Sequence, residues 1–233
     1  MIFSSLLEEI KRYFVPFICI SCGAELHQKT HFFCRKCLAA LPKTGFERQQ
    51  DNACSNLFAG RLPVLEAFAL LFFAKKGSVQ AILHEIKYRN NRKLGHYMGY
   101  LMGKALLSNP LYADVDVLIP LPLNRKKLKQ RGYNQSSLLC YGMASVLHKP
   151  VEEIAVVRSM YTQTQTRKNR IQRWLNVEQV FDLENAKHLE GKHALLVDDV
   201  ITTGATMEAC GSVLLSIPGL RLSIASLAIA TKA

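Results

Sequence analysis

Two adjacent carboxylates, Asp198 and Asp199, stand where an apolar run, Ala194–Val197, gives way to the small, hydroxyl-rich stretch Thr202-Thr203-Gly204-Ala205-Thr206. The run reads as a strand, and the stretch after it as a loop that opens a helix. In open α/β sheets, ligands bind at the carboxyl ends of strands. A helix N-terminus offers free N–H groups and a positive dipole end, which together cradle phosphate. Thr202, Thr203 and Thr206 add hydroxyl donors, and Gly204 lets the backbone approach a phosphate with no side chain in the way. Two acids beside such a cradle repel an anion unless they meet hydroxyls or a metal. A ribose with two free hydroxyls, with Mg2+ nearby, removes the conflict. The bland alternative is a strand-turn-helix with chance acids.

A second group of chemically capable residues lies near the N-terminus. Cys19 and Cys22 are separated by two residues, as are Cys34 and Cys37, and eleven residues lie between the pairs. Each CxxC can form a knuckle that aims two thiolates at one point, and two knuckles close a tetrahedral zinc site. Four thiolates leave no open coordination position, so such a metal is structural. Gly23 stands where the knuckle turn needs a glycine. A pair of redox CxxC motifs is the rival reading. His27 and His31 are not needed as ligands and read as loop histidines. Cys54, Cys140 and Cys210 have no CxxC partner and read as small core or surface residues, Cys54 being an outside candidate for metal.

Basic residues form three further clusters. Arg125, Lys126, Lys127, Lys129 and Arg131 fall within seven positions; Arg167, Lys168, Arg170 and Arg173 follow a Thr/Gln stretch; Lys87, Arg89, Arg92 and Lys93 make the third. With 30 Lys and Arg against 18 Asp and Glu, the chain carries a net charge of +12. A protein this basic commonly meets an anion: nucleic acid, a membrane surface or a phosphorylated small molecule. Tyr88, Tyr133 and Trp174 interleave with the clusters, as stacking of bases on aromatics requires. Solvated helix faces and core aromatics are the plain alternatives.

These groups need elements to hold them. At 233 residues and 49% hydrophobic content the chain suffices for one large domain and a small one. We divide it into residues 1–60, the cysteine module with its connector, and residues 61–233, an α/β domain. Helices are expected at 1–14, 78–88, 94–107, 135–147, 166–176 and 206–215, and strands at 64–74, 116–121, 155–158, 193–197 and 222–230. Residues 46–63 read as a polar connector. Glycines 95, 99 and 103 on one helix would let another element approach closely. From about residue 114 strands alternate with helices, which implies a mainly parallel sheet flanked by helices. No stretch approaches the roughly 18 apolar residues of a membrane helix. Glu8, Glu9, Lys11 and Arg12 fall where a secretory signal needs apolar residues, so the expected location is the cytoplasm.

The succession of four apolar residues, Asp198-Asp199, two more apolar residues (Val200-Ile201) and Thr203-Gly204-Ala205-Thr206 resembles the signature of type I phosphoribosyltransferases. The resemblance implies a site for 5-phosphoribosyl 1-pyrophosphate (PRPP) with Mg2+. Asp198 and Asp199 would contact the ribose hydroxyls, and Thr202, Thr203, Gly204, Ala205 and Thr206 the 5-phosphate. The loop after an early strand, Pro120, Leu121, Pro122 and Leu123, would hold the pyrophosphate. Joined to the four-cysteine module, the stretch from Pro120 to Gln135 and the residues Arg158, Thr164-Gln165-Thr166, Arg170, Asn176-Val177 and Phe181 resemble the ComF family of competence-associated, phosphoribosyltransferase-like proteins. That resemblance implies single-stranded DNA handling during natural transformation, with a competence helicase or recombination mediator as candidate partners. An active transferase moving phosphoribose to a nitrogen acceptor, and a zinc-based adaptor with a vestigial site, are the other readings. No residue is assigned a catalytic role. No cysteine follows the first methionine, so ammonia transfer from glutamine by this chain alone is not expected.

Overall fold

The computed structural model describes residues 17–26, 32–75, 77–107, 109–158 and 180–230. The helices expected over 1–14 and 166–176 lie outside these residues, as do His27, His31 and Trp174. In chain order the elements are α1 (Arg35–Ala39), α2 (Ala53–Asn56), β1 (Ala67–Phe73), α3 (Ser78–Tyr88), α4 (Arg92–Leu106), β2 (Val117–Pro120), α5 (Arg125–Arg131), α6 (Gln135–Leu147), β3 (Val156–Arg158), β4 (Phe181–Leu183), β5 (His193–Ile201), α7 (Ala205–Leu214) and β6 (Arg221–Ala230).

Four strands form one sheet in the order β1-β6-β5-β2, and every pair in it is parallel. Parallel strands are usually covered on both faces and so read as continuous apolar runs. Residues 222–229 of β6 are all buried, and so are residues 193–197 of β5. Helix α3 packs on β1, α6 on β2 and β5, and α7 on β5 and β6. β3 and β4 pair antiparallel as a separate two-stranded ribbon. The fold is a four-stranded parallel sheet flanked by helices, with a four-cysteine cluster ahead of it. Among the described residues no helix is long and apolar enough to cross a membrane.

Strand β5 runs four residues further than the apolar pattern predicts. Asp198, Val200 and Ile201 keep their pairing with Ser226, Ala228 and Ile229 of β6. The carboxylates therefore sit on the strand's last residues rather than beyond its end. The polar connector is also corrected. Residues 46–63 contain a 3-10 turn and α2, and Phe46, Cys54, Phe58 and Leu62 are buried in the common core. Asn52 caps α2 and also donates a 3.0 Å hydrogen bond from Nδ2 to the Ala67 carbonyl, which ties the connector to β1. Cys54, Phe58 and Leu62 are spaced four residues apart among mostly polar neighbours. Cys54, Cys140 and Cys210 are all core residues.

The glycines of α4 have the role expected of them. A Cβ at Gly99 would lie 2.1 Å from the Leu139 carbonyl oxygen of α6, and one at Gly142 of α6 would lie 2.1 Å from that of His96. The two helices cross backbone to backbone, which only Gly allows at those two positions. Overpacking of this kind costs about 1–3 kcal/mol when the backbone can yield. Gly99→Ala is expected to destabilise the protein by about 2 kcal/mol or more, read from the urea midpoint. Gly103→Ala, where the nearest atom is 3.1 Å away, should cost distinctly less.

Candidate pentose-phosphate site

The acid pair is held by two helices. Asp198 is partly buried, and its Oδ1 accepts hydrogen bonds from Ser136 Oγ of α6 (3.0 Å) and from the Asp199 backbone N–H (2.7 Å). Asp199 is buried, and its Oδ1 accepts from Lys87 Nζ at the end of α3 (2.7 Å). Its Oδ2 is buried without a hydrogen-bond partner. Burial, and then the charge of Asp199, push the Asp198 carboxyl up to about 7, against the lowering effect of its hydrogen bonds and of Lys87. Near neutrality the pair therefore carries less than two negative charges, which eases the approach of an anionic ligand.

The loop that follows is open on one side and supported on the other. Thr202, Thr203, Ala205 and Thr206 are exposed, whereas Gly204 is buried. Gly204 has φ +78° and caps α7, and a Cβ there would meet the Phe58 ring at 3.1 Å. Helix-cap geometry and Phe58 thus require this glycine in the protein itself, before any ligand is considered. Arg61 braces the loop. One of its nitrogens, Nη1, donates to the Thr203 carbonyl (3.0 Å) and the Leu57 carbonyl (3.2 Å), and Nη2 pairs with Glu208 of α7. Sequence reasoning missed Phe58 and Arg61, because both lie in the segment read as a connector. The first-turn N–H groups of a helix such as α7 lack intrahelical acceptors, and they open beside exposed threonine hydroxyls.

Strand β2 brings the 120–123 loop alongside. Pro120 is in register with Val197, and the Leu121 N–H donates to the Val197 carbonyl (2.8 Å). The loop therefore leaves the sheet next to Asp198. Asn134 joins loop and helix: its Nδ2 donates to the Leu121 carbonyl (3.0 Å), and its Oδ1 accepts from Ser136 N–H to cap α6. Leu121 is buried, while Pro120, Pro122 and Leu123 line a cavity of 760 Å³ that also meets Arg125 and Asn134.

The basic stretch after the loop is a helix, α5, capped by Asn124 and ended by left-handed Gly132. Arg125, Lys126, Lys127 and Lys129 are exposed, and Arg131 is partly buried. Arg131 lies over the ring of Tyr88 (5.4 Å), which is 63% exposed. Tyr133, by contrast, is only 8% exposed; its hydroxyl donates to the Ile86 carbonyl and its ring is covered by Arg92 (4.7 Å). Of these two aromatics, then, Tyr133 is structural, whereas Tyr88 is exposed and flanked by Arg131 and by the His84 ring (5.2 Å). Lys87 belongs to the acid pair rather than to the surface cluster in which the sequence placed it. Arg167, Lys168, Arg170 and Arg173 lie outside the described residues.

The four cysteines converge as their spacing predicts. The Sγ atoms of Cys19, Cys22, Cys34 and Cys37 lie within 4.8 Å of one another, with Cys22 and Cys34 at 3.8 Å. Tetrahedral coordination with Zn–S of about 2.3 Å requires sulfurs about 3.8 Å apart. Gly23 has φ +73°, and its N–H closes the first knuckle on the Cys19 carbonyl (2.8 Å). Burial opposes ionisation of Cys19, but hydrogen bonds from the backbone of Cys34, Cys22 and Ser21 outweigh it and bring the thiol down to about 6. Cys37, despite a lowering hydrogen bond with Ser21, is pushed up to about 12 by Cys22 and Cys34. Four sulfurs this close could hold one metal ion.

Two outcomes follow for these sites. The purified protein is expected to carry one zinc per chain by elemental analysis. Cys22→Ser/Cys34→Ser should lose it and melt at least about 5 °C lower. The second concerns Asp198, whose raised folded-state value means that the folded protein holds a proton which the unfolded chain releases. Its stabilising contribution is complete below about pH 4 and is lost as pH rises through about 7. Asp198→Asn should therefore raise the melting temperature at pH 8 relative to wild type, and the difference should shrink by pH 5.

Residues 134–232 match the family described as phosphoribosyl transferase domain. The DNA utilization protein YhgH of Shigella flexneri is 30% identical over 137 residues, 58% of this chain and 60% of that protein. The match thus spans about 60% of the length of that relative. Competence protein ComFC of Bacillus subtilis is 24% identical over 203 residues, 85% of this chain and 78% of ComFC. Competence protein F of Haemophilus influenzae is 26% identical over 213 residues, 86% of this chain and 92% of the relative.

Proposed function

From the premise that this chain carries a phosphoribosyl transferase domain and is a homologue of the competence proteins ComFC and F, we propose that it is a PRPP-binding protein of the ComF type. In this reading it works on single-stranded DNA in the cytoplasm during natural transformation. One observation carries the reading: the acid pair, the Gly204 turn into α7 and the loop after β2 meet at the carboxyl edge of one parallel sheet. Ligands of open α/β sheets bind at that edge.

Each part then has a task. Asp198 and Asp199 accept hydrogen bonds from the ribose hydroxyls. The exposed hydroxyls of Thr202, Thr203 and Thr206, with the first N–H groups of α7, take the 5-phosphate. The 120–123 loop faces the pyrophosphate. Among the described residues the cysteines make the only cluster of three or more metal-ligating side chains. Mg2+ is accordingly assigned to the ligand's own pyrophosphate, where it would supply charge neutralisation. Zinc in the cysteine cluster would join the two knuckles, Cys19–Cys22 and Cys34–Cys37, and the working boundary between module and enzyme-like unit is residue 60. The exposed Arg125, Lys126, Lys127 and Lys129 of α5, with Tyr88 nearby, suit a phosphodiester backbone with an adjacent base, a mode that is sequence-tolerant and weakened by salt. Transfer of phosphoribose to a nitrogen acceptor is the second reading, favoured by the 760 Å³ cavity beside the 120–123 loop.

Calorimetry with PRPP and Mg2+ tests the proposal. Micromolar binding is expected for the wild type, with at least a hundredfold loss in Asp198→Asn/Asp199→Asn. Fluorescence titration of a labelled single strand should show binding that weakens with salt and falls severalfold in Arg125→Ala/Lys126→Ala/Lys127→Ala. No PRPP binding by folded, zinc-loaded protein would refute the nucleotide-site reading. Pyrophosphate release with an amine or nucleobase would establish the second reading.

A further inference from the structure

Lys87 is the cation that the structure brings to the acid pair. It reaches Asp199 across 112 positions of sequence, with its side chain 21% exposed and that of Asp199 8% exposed. Its ammonium bonds Asp199, and its charge also acts on Asp198. Its placement is not loose. The Tyr133 hydroxyl bonds the carbonyl of Ile86, the residue before it, and Arg92 covers the Tyr133 ring from α4. The end of α3 is thus tied to the turn between α5 and α6, directly ahead of the first turn of α6 that supplies Ser136 to Asp198.

Asp199 has one oxygen satisfied and one not. Its Oδ1 takes the ammonium, and its Oδ2 is buried with no partner. A buried, unsatisfied carboxylate oxygen is costly unless something supplies a donor when the protein acts. Two adjacent carboxylates also repel each other where solvent is scarce. An ammonium at 2.7 Å offsets that repulsion and fixes the rotation of the Asp199 carboxylate.

We infer that Lys87 is a positioning residue for the pentose site: its ammonium holds and neutralises Asp199 so that Oδ2 is the acceptor presented to a ribose hydroxyl. The inference rests on the reading of the acid pair as the ribose site of PRPP, and it goes further by assigning the charge balance of that site to a residue of α3. A lysine suits the task as a compact point charge, whereas the planar fork of arginine demands a different geometry. A sugar that lacks the hydroxyl leaves Oδ2 without a donor, so the site discriminates against deoxyribose phosphates.

The test uses full-length, zinc-loaded protein and calorimetry with PRPP and Mg2+, and with ribose 5-phosphate and 2-deoxyribose 5-phosphate as probes. Wild type is expected to bind ribose 5-phosphate at least tenfold more tightly than the deoxy sugar. Lys87→Met should weaken PRPP binding at least tenfold and shrink the discrimination, and Lys87→Arg should recover part of both. A merely structural lysine would not link affinity to sugar discrimination. In an Asp199→Asn background, Lys87→Met should have no further effect on affinity, because the two residues act as one unit. PRPP binding by Lys87→Met equal to that of wild type overturns the inference and leaves the proposed function standing. Absence of PRPP binding by wild type overturns both. If Lys87→Met does not fold, Lys87→Gln, which keeps a donor but not the charge, replaces it, and wild-type affinity there is equally fatal.

Discussion

Placing two carboxylates at the end of a buried strand is the constraint on which the arrangement turns. Charge in such a place must be paired, hydrogen-bonded or given up. All three occur here. Asp199 is paired with Lys87, Asp198 is hydrogen-bonded to Ser136, and burial beside Asp199 pushes the Asp198 carboxyl up toward neutrality. The partners come from the last turn of α3 and the first turn of α6, so α3 must end and α6 must begin beside the acid pair.

That requirement extends through the rest of the domain. Helix α6 reaches Asp198 only because α4 lies against it at Gly99 and Gly142, with no side chain between the backbones. Helix α3 is bound to the same unit through Tyr133 and Arg92. Beneath the other half of the site, Phe58 fills the space under Gly204, and Arg61 joins the loop carbonyl to Glu208. The segment between the cysteine cluster and the sheet is therefore part of the site's support. Its helix cap, Asn52, bonds directly to the first residue of β1.

The same packing separates two kinds of positive charge. Lys87 is taken inward to a carboxylate, and Arg92 is held over a buried tyrosine. Lys126, Lys127 and Lys129 of α5 are exposed, on the helix whose Arg131 lies over the exposed ring of Tyr88. Sequence clustering could not make that division, because Lys87 and Tyr88 are consecutive and serve opposite sides of the helix end. A small phosphorylated ligand and a polyanion would consequently meet different residues, although the two surfaces share α3.

Much was legible in one dimension because it depends on local chemistry. The spacing of Cys19, Cys22, Cys34 and Cys37 encodes two knuckles, and Gly23 the tight turn that closes the first. The period of Val79, Ile82, Leu83 and Ile86 encodes α3, and the apolar runs at 193–197 and 222–230 encode buried parallel strands. The acids followed by Thr203-Gly204-Ala205-Thr206 marked the site, and glycines 95, 99 and 103 announced a close crossing. Only the tertiary structure decided the partner in that crossing, the continuation of β5 through the acids, the burial of Phe58 in a segment that reads as polar, and the departure of Lys87 from its basic neighbours. Each of these depends on an atom more than ten residues away, and neither hydrophobic period nor residue spacing carries information about that distance.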